Sequence, residues 1–213
     1  MIRKQKEHLI YPPHIRLINL IIKKYVNTYW TIIDLLSNKF SIFSTYLYQN
    51  AIKDEYSKEH ALLQLTQSDN ILHIGCGVFP YSAILLSKKK NNNIIAIDNN
   101  KKVIHYAKQM IQNRNLEKTI QVKTGEGTTV DLSPYSVIIS SSCVDSSVNV
   151  FRNIINTAKP GTRIIIRELR PMSHYLKKMI NKQKNITLEH HLSNYTFPFY
   201  SILGWDSFIL KKK

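Results

Sequence analysis

From Asn70 onward, short apolar runs alternate with helix-compatible stretches, and this alternation constrains the chain more than any other feature. Strands that are apolar almost throughout must be covered on both faces, and helices returning between them make neighbouring strands parallel. The spacing predicts strands at 71–74, 94–97, 120–123, 137–140 and 162–167, with helices at 81–87, 101–113, 147–158 and 173–182 between them. Segments 186–191 and 203–210 then pair as an antiparallel edge, with Gly204 and Trp205 marking a bend or bulge. The expected architecture is α/β, a seven-stranded, mostly parallel sheet.

Before Asn70 the pattern is helical. Apolar residues recur three and four apart (Leu17, Ile18, Ile21, Ile22, Tyr25, Tyr29, then Ile32, Ile33, Leu35 and Leu36), with breaks expected near Asn27 and across 37–41. The aromatic residues of this region, Tyr25, Tyr29, Phe40, Phe43, Tyr46, Tyr48 and Tyr56, read as a packed helical layer or, alternatively, as a substrate lid. The expected division is a helical N-terminal extension or cap at 1–66 and an α/β domain at 67–213.

Charge narrows the function less than it first promises. The 213 residues carry a formal net charge of +16, a balance that suits phosphate partners through counterion release. Lysine supplies 23 of the 30 basic residues, however, and they are scattered through a chain rich in Asn and Ile rather than gathered in one run. Nucleic acid therefore stays open as a partner, beside anionic lipid headgroups and a small-molecule substrate. Two cysteines, Cys76 and Cys143, are too few for a disulfide framework. The apolar run 17–22 is interrupted by Asn19 and followed by Lys23 and Lys24, well short of the roughly 20 residues that span a bilayer. With no signal-peptide core in view, the expectation is a cytoplasmic protein without a transmembrane segment.

The first strand runs into Ile74-Gly75-Cys76-Gly77-Val78-Phe79-Pro80 and then a helix, so glycines stand where a cofactor must approach the backbone closely. Taken alone, such a loop is equally a tight strand-to-helix turn. The next strand ends in Asp98, roughly 20 residues on, where one carboxylate can accept both hydroxyls of a ribose. Its alternative is an N-cap, a job that Asn99 or Asn100 can also do. After the third strand, Gly125-Glu126-Gly127 places a further acid at the same edge of the sheet, able to accept from an adenine amino group. Ser140-Ser141-Ser142-Cys143-Val144-Asp145 ends the fourth strand and forms the lip of the crevice.

In that order, and with Lys159-Pro160-Gly161-Thr162-Arg163 leading into the fifth strand, residues 70–213 resemble the class I S-adenosylmethionine (SAM)-dependent methyltransferases, a Rossmann-like fold. The resemblance implies SAM as co-substrate and Gly75, Cys76, Gly77, Phe79, Asp98, Asn99, Glu126, Gly127 and Ser141 as its contacts. Two positions depart from that family: His73 stands where a carboxylate is usual, and Phe79 where a third glycine is usual. His73 reads as a packed or capping histidine. The loop Gly75-Cys76-Gly77-Val78-Phe79-Pro80-Tyr81-Ser82 also resembles the nicotianamine synthase branch of the same fold, in which SAM donates an aminobutanoyl group. Arg167 resembles an arginine of that branch.

A sulfonium activates its own carbons, so a transferase needs chiefly to align a nucleophile and exclude water, and no catalytic triad or metal cluster is expected. Tyr81, Glu55, Glu59, His174, His190 and His191 are the candidates for a base or positioning group. Adjacent His190 and His191 point to opposite faces of a strand and make a poor metal pair. Three functions follow as expectations: methyl transfer to a small-molecule or lipid-like acceptor, aminobutanoyl transfer, or a non-catalytic SAM- or RNA-binding module.

Overall fold

Strand β1 (Asn70–Ile74) lies between β2 (Asn93–Asp98) and β4 (Val137–Ser140), paired in parallel with each. A computed structural model describes residues 13–39, 52–88, 93–195 and 204–213. Beyond β2 lies β3 (Ile120–Thr124), and beyond β4 lies β5 (Arg163–Leu169), both parallel to their neighbours. Two antiparallel strands, β6 (Ile186–Asn194) and β7 (Trp205–Lys212), complete a seven-stranded sheet in the order β3-β2-β1-β4-β5-β7-β6. The expected α/β, Rossmann-like sheet with an antiparallel edge is what forms.

The strands read as continuous apolar runs because helices cover both faces. Helix α1 (Pro13–Lys39) and α2 (Lys53–Leu62) precede the sheet, and α3 (Tyr81–Ser87), α4 (Lys101–Gln112), α5 (Ser147–Thr157) and α6 (Arg170–Asn181) connect its strands. On one face Ile71, Ala96, Ile139 and Ile165 pack with Leu86 of α3 and Met110 of α4. On the other, Leu72, Ile138, Ile166 and Phe208 pack with Phe151 and Ile154 of α5 and Leu176 of α6. Ile104, Ala107, Met110 and Ile111 show how α4 buries one stripe, with Asn100 as its N-cap accepting from Lys102 N at 3.0 Å. Truncating a fully buried side chain such as Phe151 to alanine removes about 3–5 kcal/mol of stability.

Three expected details differ. Helix α1 runs unbroken through Asn27, because that side chain makes a tertiary bond, Nδ2 to the Cys143 carbonyl at 3.1 Å, instead of competing for its own backbone. Helix α6 starts at Arg170, ahead of the expected 173, with Pro171 in its first turn, where a missing N–H is harmless. The edge irregularity falls between Leu188 and His190 in β6 rather than at Gly204 and Trp205. The expected break across 37–41 and the aromatic positions Phe40, Phe43, Tyr46 and Tyr48 extend into residues outside those described. Among the described residues no helix is long and apolar enough to cross a membrane.

Because β1 is flanked by β2 and β4, the chain reverses direction across the sheet at β1, and a crevice opens beyond the carboxyl ends of these strands.

Candidate active site

The crevice is built first by two glycines. Gly75 and Gly77 adopt φ of +71° and +67°, the left-handed region that a side chain disfavours. A Cβ on Gly75 would stand 2.6 Å from Val144 Cγ1, so the close approach of this turn to the loop after β4 requires its absence. Both Gly75 N–H and Cys76 N–H donate to the Ile97 carbonyl, at 2.8 and 3.0 Å, tying the turn to the end of β2.

Asp98 ends β2 and holds this architecture from below. Its carboxylate accepts from Gly77 N at 3.2 Å and from Asn100 N at 3.0 Å. Burial raises its carboxyl above the usual aspartate range; these two N–H bonds oppose the rise, and the Asp145 and Glu126 carboxylates add to it. Helix capping, the alternative for Asp98, is done by Asn100. Glu126 Oε1 accepts from the backbone and hydroxyl of Thr128, both at 3.1 Å. Asn99 Nδ2 bridges Glu126 and Asp145, 3.4 Å from each.

The opposite wall comes from α1, whose Asn27, Trp30 and Thr31 face the crevice. Lys23 fixes that helix in place: Nζ donates to the Val144 carbonyl at 2.8 Å and to Ser147 Oγ at 3.1 Å, and lies 3.3 Å from Glu168 Oε1. The result is a cavity of about 460 Å³. Its wall includes three carboxylates, those of Asp98, Glu126 and Asp145, and no Lys, Arg or His among the described residues.

Of the residues expected to contact a cofactor, Gly75, Gly77, Asp98, Asn99, Glu126 and Gly127 line this cavity. Cys76, Phe79 and Ser141 do not. Cys76 and Phe79 turn into the core, where Phe79 packs against Tyr81 and beneath the Arg114 guanidinium at 5.0 Å. Ser141 Oγ instead meets His73 Nε2 at 3.0 Å. His73 is the packed histidine expected: burial, then the Arg167 charge, depresses it to about 3, so its ring is neutral.

The candidate bases also stand away from the cavity wall. Glu59 is fully buried, with both Nε and Nη2 of Arg167 on its Oε2. Glu55 pairs with Lys58 at 3.4 Å. Tyr81 is buried and its hydroxyl is pushed up to about 12 by burial and Asp54. His174 lies on α6 against the Tyr175 ring. His191 stacks on Phe208 and lies 3.3 Å from Asp206, while the neighbouring His190 is exposed. Among the described residues no three His, Cys, Asp or Glu side chains gather as a metal site. Sequence reasoning missed Asn27, Trp30 and Thr31; the signal available was Asn27 itself, a polar residue kept inside an otherwise apolar-periodic helix.

Residues 49–197 match the family model of protein-L-isoaspartate(D-aspartate) O-methyltransferase (PCMT). The chain belongs to the PCMT family. Like others that share the class I methyltransferase fold, this PCMT-family chain is a SAM-dependent transferase with SAM as co-substrate. No curated protein matches it in sequence. A crystal structure of a mutant of MtNAS, a nicotianamine synthase, superposes with a TM-score of 0.71 at 18% identity, covering 97% of this chain and 80% of that one. The MtNAS mutant bound to SAM superposes at 0.63 and 19% identity, covering 91% and 73%. TrmN from Thermus thermophilus superposes at 0.61 and 15% identity, covering 80% and 53%. At these identities the three structures speak for the fold. The crevice of this PCMT-family chain suits SAM on its own chemistry: a buried carboxylate for a vicinal diol, backbone exposed at glycines, and an acidic wall toward a sulfonium cation.

Proposed function

We propose that the chain transfers the methyl group of SAM to a small-molecule acceptor held between α1 and the carboxyl ends of β1, β2 and β4. The observation that carries this reading is the cavity of about 460 Å³, walled on one side by Asn27, Trp30 and Thr31 of the helical extension and on the other by the glycine turn. In this reading residues 1–66 are a cap on the transferase domain at 67–213. Gly75 and Gly77 give the cofactor access to backbone, Asp98 accepts the ribose hydroxyls, and Asn99, Glu126 and Gly127 hold the adenine end. Bound SAM supplies an electrophilic methyl carbon, and the chain's own work is alignment and exclusion of water.

The acidic wall argues against a phosphate or nucleic-acid acceptor, because the net charge of +16 is not brought into the cavity. It argues equally against the isoaspartyl carboxylate for which the family is named, which would meet Asp98, Glu126 and Asp145 with no cation among the described lining residues.

Aminobutanoyl transfer is a second reading with its own support. Phe79 and Pro80 replace the usual third glycine, Pro80 opens α3 at φ −72°, and MtNAS covers 97% of the chain including the helical extension. Mass spectrometry of the SAM co-product with fractionated metabolites separates the two. S-adenosylhomocysteine supports methyl transfer, methylthioadenosine supports aminobutanoyl transfer, and unchanged SAM with every fraction leaves the non-catalytic module.

A further inference from the structure

Beside the SAM crevice lies a second cavity of about 490 Å³, lined by α1 and by Asp145. The two cavities share Asn27, Thr31 and Asp145, so whatever occupies the second abuts whatever occupies the first. A transferase needs that adjacency, because the nucleophile must reach the cofactor in line.

The polar groups at the junction have a definite character. Asn27 Nδ2 donates to the Cys143 carbonyl at 3.1 Å, which fixes the amide orientation and turns Oδ1 the other way. That Oδ1 is buried and has no donor among the described residues. A buried carbonyl without a partner is unfavourable and calls for a ligand N–H or O–H. Asp145 adds a carboxylate held by a long bond, 3.4 Å, from Asn99 Nδ2. The Lys23 ammonium that also borders this space is spent on Val144, Ser147 and Glu168, and Lys24 is exposed, where solvent screens its charge. Away from the junction the wall carries Leu20 and Ile32.

We infer that this second cavity is the acceptor site and that the acceptor is an aliphatic amine, its nitrogen donating to Asn27 Oδ1 and Asp145 and its carbon chain lying along Leu20 and Ile32. This rests on the methyl-transfer reading above. The ammonium proton leaves to water at the exposed Asp145, and the neutral nitrogen attacks the sulfonium methyl carbon. The C–N bond forms as the S–CH₃ bond breaks, its electron pair passes to sulfur, and the methylated ammonium returns a proton to water. The products are a methylamine and S-adenosylhomocysteine.

The test is calorimetry on the full chain saturated with S-adenosylhomocysteine, titrated with n-hexylamine, n-hexanol and hexanoate, followed by co-product analysis with SAM and each probe. Hexylamine binding at least about tenfold tighter than hexanol or hexanoate is expected, with at least about a tenfold loss in Asp145→Asn. Ile32→Trp, which fills the second cavity without touching the first, abolishes hexylamine binding and leaves SAM affinity within about twofold of the native chain. Equal or tighter binding of hexanoate, no binding of hexylamine, or unchanged hexylamine binding in Ile32→Trp overturns the proposal. Methylthioadenosine formed with hexylamine overturns the methyl-transfer reading while supporting the amine site, and S-adenosylhomocysteine formed with hexanoate alone does the reverse.

Discussion

Arg167 of β5 and Glu59 of α2 are joined through a single carboxylate oxygen, with Nε and Nη2 at 2.7 and 2.6 Å from Oε2. The other oxygen accepts from Asn194, Trp205 and Ser207 at 2.9, 3.0 and 2.5 Å. A carboxylate so engaged clamps α2 to the antiparallel edge and has no capacity left for a substrate proton. Glu59→Ala leaves the buried guanidinium uncompensated and lowers stability by about 3–5 kcal/mol in urea unfolding. SAM affinity of the folded fraction stays within about twofold. An unchanged unfolding midpoint contradicts the clamp.

Lys23 does the corresponding work for α1. Removing its ammonium in Lys23→Met leaves Glu168, which is fully buried, without its cation. The expected result is loss of about 2–4 kcal/mol and faster hydrogen exchange in α1 than in the sheet. Uniform exchange across both places the attachment of α1 elsewhere.

His73 gives acid sensitivity of a defined sign. Its folded-state value of about 3 lies below the ordinary 6.5, chiefly through burial, so the folded state binds fewer protons there. The stability it contributes is present above pH 6.5 and is lost as pH falls toward 3. The slope in that window is up to about 1.4 kcal/mol per pH unit. His73→Gln, which can still bond Ser141 Oγ, flattens the slope measured by urea unfolding at stepped pH, and an unaltered slope assigns it to other groups.

Gly75→Ala meets Val144 at 2.6 Å in addition to the strain of φ +71°. It is expected to lower stability by at least about 2 kcal/mol and SAM affinity by at least about tenfold. Gly161→Ala serves as the control, since φ there is +87° but the space around it is open. That variant carries backbone strain of about 1–2 kcal/mol and keeps its SAM affinity.

The central strands and the glycine turn were legible in the sequence because both are local: continuous apolar runs announce a covered parallel strand, and Gly75 and Gly77 announce left-handed backbone. Asp98 was legible for the same reason, standing at the end of β2. What was not legible depends on partners distant in the chain. Asn27 looked like a helix break until the Cys143 carbonyl supplied its partner. Glu59 looked like a base until Arg167, Asn194, Trp205 and Ser207 closed around it. Phe79 and Cys76 sit inside the cofactor motif yet face the core, because a turn alternates its side chains between ligand and interior.

The central claim is that SAM occupies the crevice between the glycine turn and Asp98. Isothermal titration of SAM into the native chain and into Asp98→Ala tests it directly. The account predicts one-to-one binding to the native chain, at least about tenfold weaker binding to Asp98→Ala, and weakening of the native affinity as pH falls into the raised range of the Asp98 carboxyl. No binding to the native chain, or equal binding to both, contradicts it.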